Sequence, residues 1–239
     1  MERKKKSKTI KSEINESGEK PETKKVRRAV SGPIRNKART RARIVAAVGK
    51  VIQKNGYTGL NAKSIALAAG VDRKLVPDYF GNVNNLIEEY IEKKDFWKSA
   101  AKGNISSLLK SPEKIGHQEI AQLLQSHFNV LMRNKALQKI IHWELSEPNE
   151  ILRNISDRRE EIGEELFSSI LPDFDESVID LRARFALLIG GIYYLTLHAK
   201  SNGSKFCGID INKEEGKLRI ENEIMKIIVE AYEIAGVKK

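Results

Sequence analysis

The sequence predicts an all-α protein in two parts, a small three-helix unit built around a helix-turn-helix and a larger helical region behind it. Three observations point there. From Ile44 to Ile234 the apolar residues recur at the three- and four-residue spacing of buried helix faces, and no stretch alternates apolar and polar as a strand does. Between Gly56 and Ile87 two short helical patterns are joined by a tight glycine turn. The 239 residues suffice for one small domain and one larger one.

Helix one is expected from about Asn36 to Asn55, with Ile44, Val48, Val51 and Ile52 inward and Gly56 as its stop. Asn61 is a good N-cap for a short helix over Ala62 to Ala69, whose Ile65, Ala66 and Ala69 share one face. Gly70 supplies the left-handed residue that ends it. Val71 plugs the angle to a second helix, Asp72 caps that helix, and Leu75, Val76 and Tyr79 give it an inner side. Arg73, Lys74 and Asp78 are left facing out. Helix four is expected to start near Asn82 and to run through Leu86, Ile87, Tyr90 and Ile91 toward Trp97. In a motif of this shape the second helix enters the DNA major groove with its N-terminal residues at the base edges. The pattern alone also fits a helical hairpin in an enzyme or scaffold. The cationic run Arg35, Lys37, Arg39, Arg41 and Arg43, placed where phosphates would lie, favours DNA.

The pattern Ile65-Ala66-x-Ala68-Ala69-Gly70-Val71, the short polar helix, Tyr79-Phe80-Gly81 and then Leu86, with glycine-flanked Tyr57 ahead of it, resembles the DNA-binding domain of the TetR family of transcriptional regulators. The resemblance covers residues 37–90 and implies a homodimer whose remaining residues, 91–239, form an effector-binding and dimerisation domain. It implies double-stranded DNA as partner, Arg73 and Lys74 as base or phosphate contacts, and Tyr79, Asn61, Lys63 and Asn82 as backbone contacts; Arg41 and Arg43 add phosphate contacts from the cationic run. It also implies a two-state switch, in which a small molecule that binds the DNA-incompetent arrangement better releases the operator. Three residues depart from the family pattern. Pro77 stands at about the fifth residue of the recognition helix, where an aromatic is usual, and removes a backbone donor. Asp78 adds an acid near the phosphates, and Val83 replaces the usual phosphate-binding lysine.

The charge is unevenly spread. Lys and Arg number 43 against 32 Asp and Glu, a net of +11, and the first 43 residues hold 16 of those cations against 5 Glu. The excess therefore sits in the N-terminal extension and the start of helix one. Residues 1–36 are expected to form a disordered basic arm, able to hold phosphate backbone without sequence preference, or else a solvated tail or targeting segment. No apolar stretch follows Lys4, Lys5, Lys6 and Lys8, so a secretory signal is not expected. Cys207 is the only cysteine, which excludes an internal disulfide and a thiolate metal cluster and suits a reducing cytoplasm. The longest uncharged run, Phe185 to Ala199, is too short for a membrane span, so no membrane partner is expected.

Beyond Ile105 the breaks at Ser111-Pro112, Glu147-Pro148, Leu171-Pro172-Asp173 and Ser201-Asn202-Gly203 divide the chain into about five more helices. Residues 185 to 197 are apolar on nearly every side and are expected to be covered all round, with Gly190 and Gly191 admitting close helix contact. In the last helix Ile220, Ile224, Ile227, Ala231 and Ile234 keep the 4-3-4-3 spacing of a near-parallel helix seam. The last two helices are thus expected to form the dimer interface; burial of both rows within one chain is the other reading.

His117, His127, His142 and His198 are scattered without a ligand spacing, so no metal site and no cofactor are expected. No phosphate loop, nucleophile elbow or Cys/His pairing is present, and no enzyme is expected. His142 and Trp143, together with Phe128, Met132, Phe185, Tyr193 and Tyr194, are candidates to line a mostly apolar effector pocket, although each serves equally well as plain core. The sequence thus reads as a cytoplasmic, homodimeric, ligand-responsive repressor. The alternative is a dimer of the same fold that has lost operator recognition and acts as a ligand-binding or protein-interaction module.

Overall fold

Residues 33–174, 178–201, 203 and 205–238 are described in the computed structural model of the chain. Among them are ten α-helices and no strand. The first four are α1 (Pro33–Asn55), α2 (Ala62–Ala69), α3 (Leu75–Phe80) and α4 (Val83–Lys94). Then come α5 (Lys102–Leu109), α6 (His117–Arg133), α7 (Lys135–Ser146), α8 (Glu150–Ile170), α9 (Leu181–Ser201) and α10 (Glu214–Ile234).

Helix α1 starts earlier than its apolar pattern suggests, at Pro33, a residue whose fixed φ suits a first helical position. Residues 33–36 therefore belong to the helix and not to the arm; residues 1–32 lie outside the described residues. Six helices follow α4 where about five were expected. The additional break falls at Asn134, whose side-chain oxygen accepts from the backbone N–H groups of Ala136 and Leu137, both at 3.1 Å, and so caps α7. Helix α4 stops short of Trp97. Asp95 takes an extended conformation there and caps a single π-helical turn, Phe96–Ala100, by accepting from Trp97 N–H at 3.0 Å and Lys98 N–H at 3.2 Å.

Two apolar cores result. The first joins Ile44, Ile65, Val76 and Leu86 of α1 to α4, and it also takes in Ile140 and Trp143 of α7 and Leu152 and Ile155 of α8. It thus extends well past residue 90. Helices α1 and α4 meet at Gly49, where a Cβ would lie only 2.5 Å from the Tyr90 hydroxyl. The second core surrounds α6, with Leu124, Phe128 and Leu131 against Phe185 and Ile192 of α9 and Ile228 and Tyr232 of α10.

The last two helices depart from expectation in opposite ways. Ile224 and Ala231 of the 4-3-4-3 row are buried within their own subunit, because α10 packs on α6 and Gln125 Nε2 donates to the Glu221 carbonyl at 2.8 Å. Ile220 and Ile227 are half-buried and Ile234 is exposed. Helix α9 is not covered all round. Phe185, Ile192 and Thr196 face inward, but Leu187 is 78% and Tyr194 52% exposed, and nothing lies within 4 Å of where a Cβ on Gly190 or Gly191 would sit. Within one chain the two glycines admit no close neighbour.

Candidate nucleic-acid interface and effector cavity

The helix-turn-helix is fixed by local chemistry. Asn61 Oδ1 accepts from Ser64 N–H at 2.9 Å while Ser64 Oγ accepts from Asn61 N–H at 3.2 Å, a reciprocal cap at the start of α2. At its end Gly70 takes φ +63°, and Val71 N–H reaches the Ala66 carbonyl at 3.0 Å. Asp72 Oδ1 then accepts from Lys74 N–H at 2.9 Å and opens a turn ahead of α3, which begins only at Leu75. Pro77 is accordingly the third residue of α3 and not the fifth. Proline is tolerated in a first turn, where the helix itself offers the backbone N–H no partner; the N–H groups of Leu75, Val76 and Asp78 on either side of it reach carbonyls of the preceding turn. The Pro77 carbonyl accepts from Gly81 N–H at 2.8 Å.

Of the residues expected to meet DNA, Arg73 and Lys74 stand exposed ahead of α3, and Lys63 is exposed on α2. Asp78 is exposed among them. Tyr79 is half-buried, with Lys37 Nζ 5.8 Å from its ring centre. The other candidates hold the fold together. Asn61 and Asn82 spend their side-chain oxygens on caps, Asn82 accepting from Asn85 N–H at 2.8 Å. Arg41 forms a two-pronged pair with Glu89 and lies over the Phe80 ring, 4.7 Å from its centre. Burial pushes the Glu89 carboxyl up, but hydrogen bonds from Arg41 and Lys93 outweigh it and hold the group below its ordinary value. Arg43 donates to the Gly70 carbonyl at 3.2 Å. Polar residues at the ends of short helices are used first by the backbone, which the sequence pattern does not distinguish from phosphate binding.

Helix α4 leads from this face to the second core, where α8 grips it with two successive arginines. Arg158 Nη2 meets Glu88 at 2.6 Å and Glu92 at 3.2 Å on the outside. Arg159 Nε donates inward to Asp95 Oδ2 at 2.6 Å, and its Nη1 donates to Glu144 Oε2 of α7 at 2.7 Å. Arg159 and Asp95 side chains are only 8% and 1% exposed. The two carboxylates outweigh the burial of the guanidinium and raise its already high pKa. Arg159 Nη2 is buried without a hydrogen-bond partner.

Of that cluster Glu144 and Arg159 line a cavity of about 390 Å³ among the π-helical turn, α5, α8 and α9, and Asp95 stands behind Arg159. Ile105, Ile162, Leu166, Phe167, Phe185 and Ile189 supply its apolar walls. Beside it His127 lies between Phe96, stacked at 4.6 Å, and the edges of Trp97 and Tyr193. Burial, reinforced by the charge of Arg159, holds the imidazole down to about 3, so it is neutral. Tyr193 is pushed up by its own burial.

Of the seven residues expected to line a pocket, Phe185 and Tyr193 do so. Phe128 is buried in the second core and Met132 packs against it. His142 and Tyr194 lie on a shallow outer groove between α7 and α9. Trp143 belongs to the first core, where Tyr57 stacks on it with ring centres 5.2 Å apart and planes 4° apart. The mid-domain aromatic is thus a packing link to the helix-turn-helix. Asp95, Glu144 and Arg159 were missed. Their one sequence signal is the Arg158-Arg159 pair, set among Asp157, Glu160 and Glu161 on a helix rich in acids.

The fold and its two sites define a helix-turn-helix protein with a helical cavity domain. The chain has the fold of the TetR family of transcriptional regulators. FadR from Bacillus subtilis, solved in complex with stearoyl-CoA, superposes with a TM-score of 0.53 at 18% identity over 80% of this chain and 98% of its own. A TetR family transcription regulator from Marinobacter aquaeolei gives 0.54 at 14% identity over 81% and 97%. NalD, the secondary repressor of the MexAB-OprM multidrug efflux pump in Pseudomonas aeruginosa, gives 0.56 at 17% over 80% and 96%. At these identities the likeness is one of fold. No protein-family model and no curated protein matches the chain. Among the described residues no helix is long and apolar enough to cross a membrane.

Proposed function

We propose that this chain is a homodimeric DNA-binding transcriptional regulator, a ligand-responsive repressor of the TetR kind acting in the cytoplasm. Residues 37–90 would read DNA, and residues 91–239 would dimerise and hold the effector. The observation that carries this reading is the path from Arg73 and Lys74, exposed ahead of α3, along α4 to Asp95, which is held by Arg159, a residue of the cavity wall. A ligand that redistributes the bonds of Arg159 acts directly on the end of the helix that carries the DNA-binding unit. Such a ligand shifts the equilibrium only by the difference between its affinities for the two arrangements. The stearoyl-CoA bound by one neighbour of the same fold supports an effector with a long apolar body.

The dimer face lies on the bare outer side of α9, Leu187, Gly190, Gly191 and Tyr194, where a second copy can approach the glycines closely. A Cβ at Gly190 would meet nothing within 4 Å in its own chain, so Gly190→Arg, which projects from this face, tests it. Sedimentation should show folded monomers with weakened DNA binding, whereas a dimer as tight as wild type would rule this face out. One observation favours the alternative of a dimer without operator recognition: Asp78 is exposed beside Arg73 and Lys74, and Arg41 and Arg43 are already engaged, by Glu89 and by the Gly70 carbonyl.

A further inference from the structure

We propose that the cavity selects an uncharged, largely apolar molecule bearing a carbonyl-type oxygen, and that Arg159 Nη2 is the donor that holds this oxygen. This rests on the reading of the cavity as the effector site. Arg159 lines it, is more than nine-tenths buried, and places two of its three guanidinium nitrogens on Asp95 and Glu144. The third, Nη2, has no partner and is itself covered, so a ligand oxygen reaches it as the side chains around it part. A buried donor on a charged group without an acceptor is costly, so an oxygen delivered there gains more than an ordinary hydrogen bond.

The same cluster decides the charge of that oxygen. Asp95 and Glu144 already set two negative charges against the single positive charge of Arg159, at 2.6 and 2.7 Å, in surroundings that screen poorly. A carboxylate would bring a third negative charge to a site whose net charge is already −1. Like charges at this range weaken binding by at least about tenfold. The remaining wall groups offer an anion no relief. Ser156 Oγ donates to Glu144 at 3.2 Å, and Arg182 is paired with Glu164 and lies over the Phe167 ring, 4.6 Å from its centre. An ammonium group would suit Glu144 but would leave Nη2 without an acceptor and meet the guanidinium charge. A ketone, ester or amide oxygen satisfies Nη2 and adds no charge, while Ile162, Leu166, Phe185 and Ile189 accept its chain.

The test uses the full chain and three probes of one length, 2-dodecanone, dodecanoate and dodecylammonium, titrated by calorimetry below their micelle concentrations. The ketone should bind at least tenfold more tightly than either ion. Ile189→Trp, which fills the cavity, should abolish its binding. Glu144→Gln keeps an acceptor for Nη1 and removes one negative charge, and should raise dodecanoate affinity at least tenfold with little change for the ketone. Tighter binding of dodecanoate or dodecylammonium to wild type overturns the inference and leaves the effector site standing, as does a Glu144→Gln chain with unchanged dodecanoate affinity. Binding of none of the three, or ketone binding that survives Ile189→Trp, removes the effector-site reading itself. If Glu144→Gln fails to fold, the wild-type ranking alone decides.

Discussion

Tyr57 lies flat on Trp143, joining the turn between α1 and α2 to α7, nearly ninety positions along the chain. Trp143 is 5% exposed, so this stack is one of the places where the helix-turn-helix core closes on the rest of the protein. Trp143→Ala should cost about 3–5 kcal/mol, the usual range for emptying a core aromatic site. Trp143→Phe should recover part of it. Denaturant midpoints of both variants, with Tyr57→Ala and the double mutant, give the coupling of the two rings, which should be about 0.5–1.5 kcal/mol. No loss of stability in Trp143→Ala would contradict this placement.

Gly49 and Tyr90 set the spacing of α1 and α4. A Cβ at position 49 would stand 2.5 Å from the Tyr90 hydroxyl and 3.0 Å from the ring carbon that bears it, so Gly49→Ala must push the ring aside. A loss of roughly 1–3 kcal/mol is expected, as for other overpacked cores. Tyr90→Phe removes the nearest atom. In the double mutant most of the loss should therefore disappear, and equal losses with and without the hydroxyl would show that the clash lies elsewhere.

His127 makes stability sensitive to mild acid. Burial and Arg159 hold its folded pKa at about 3, against 6.5 for the free side chain, so between these values the unfolded chain binds a proton that the folded chain refuses. Stability is therefore full above about pH 6.5 and falls as the pH drops toward 3. At pH 5 the cost is about 2 kcal/mol. His127→Phe fits the cage of Phe96, Trp97 and Tyr193 and removes the buried unpaired Nδ1. Its urea midpoints at pH 7 and pH 5 should differ by less than those of wild type, and an identical pH dependence would exclude His127 as the origin.

The segment ahead of Pro33 carries 11 Lys and Arg against 5 Glu. Each phosphate that it neutralises adds about −0.9 to the slope of log affinity against log salt, so an arm meeting about three phosphates steepens the slope by nearly 3. Removing residues 1–32, which spares α1, should flatten it by that amount. An unchanged slope would assign all backbone contact to the folded residues.

The all-helical fold was legible because its signals are local. Asn61, Gly70 and the spacing of Ile65, Ala66 and Ala69 specify α2 and its turn almost residue by residue. Apolar periodicity also located most later helices, but it cannot say which surface covers an apolar row. The 4-3-4-3 row of α10 therefore looked like a dimer seam, whereas Ile224 and Ala231 are taken up by α6 of the same chain. The cavity was the least legible part. Its polar side is made by Glu144 and Arg159, with Asp95 holding Arg159 from behind, three charged residues on separate elements that no spacing rule connects, whereas the conspicuous aromatic Trp143 proved to be packing.

Operator recognition by Arg73 and Lys74 is most directly tested by selecting bound DNA from a random duplex pool, with the wild-type chain and with Arg73→Ala in parallel. Wild type should enrich an inverted repeat with two equivalent half-sites, as a two-fold dimer requires. Arg73→Ala should bind that sequence roughly 1–3 kcal/mol more weakly and relax preference at one position in each half-site. A wild-type pool that stays random, together with an Arg73→Ala chain that binds DNA as well as wild type, would contradict a DNA-reading role for this helix-turn-helix.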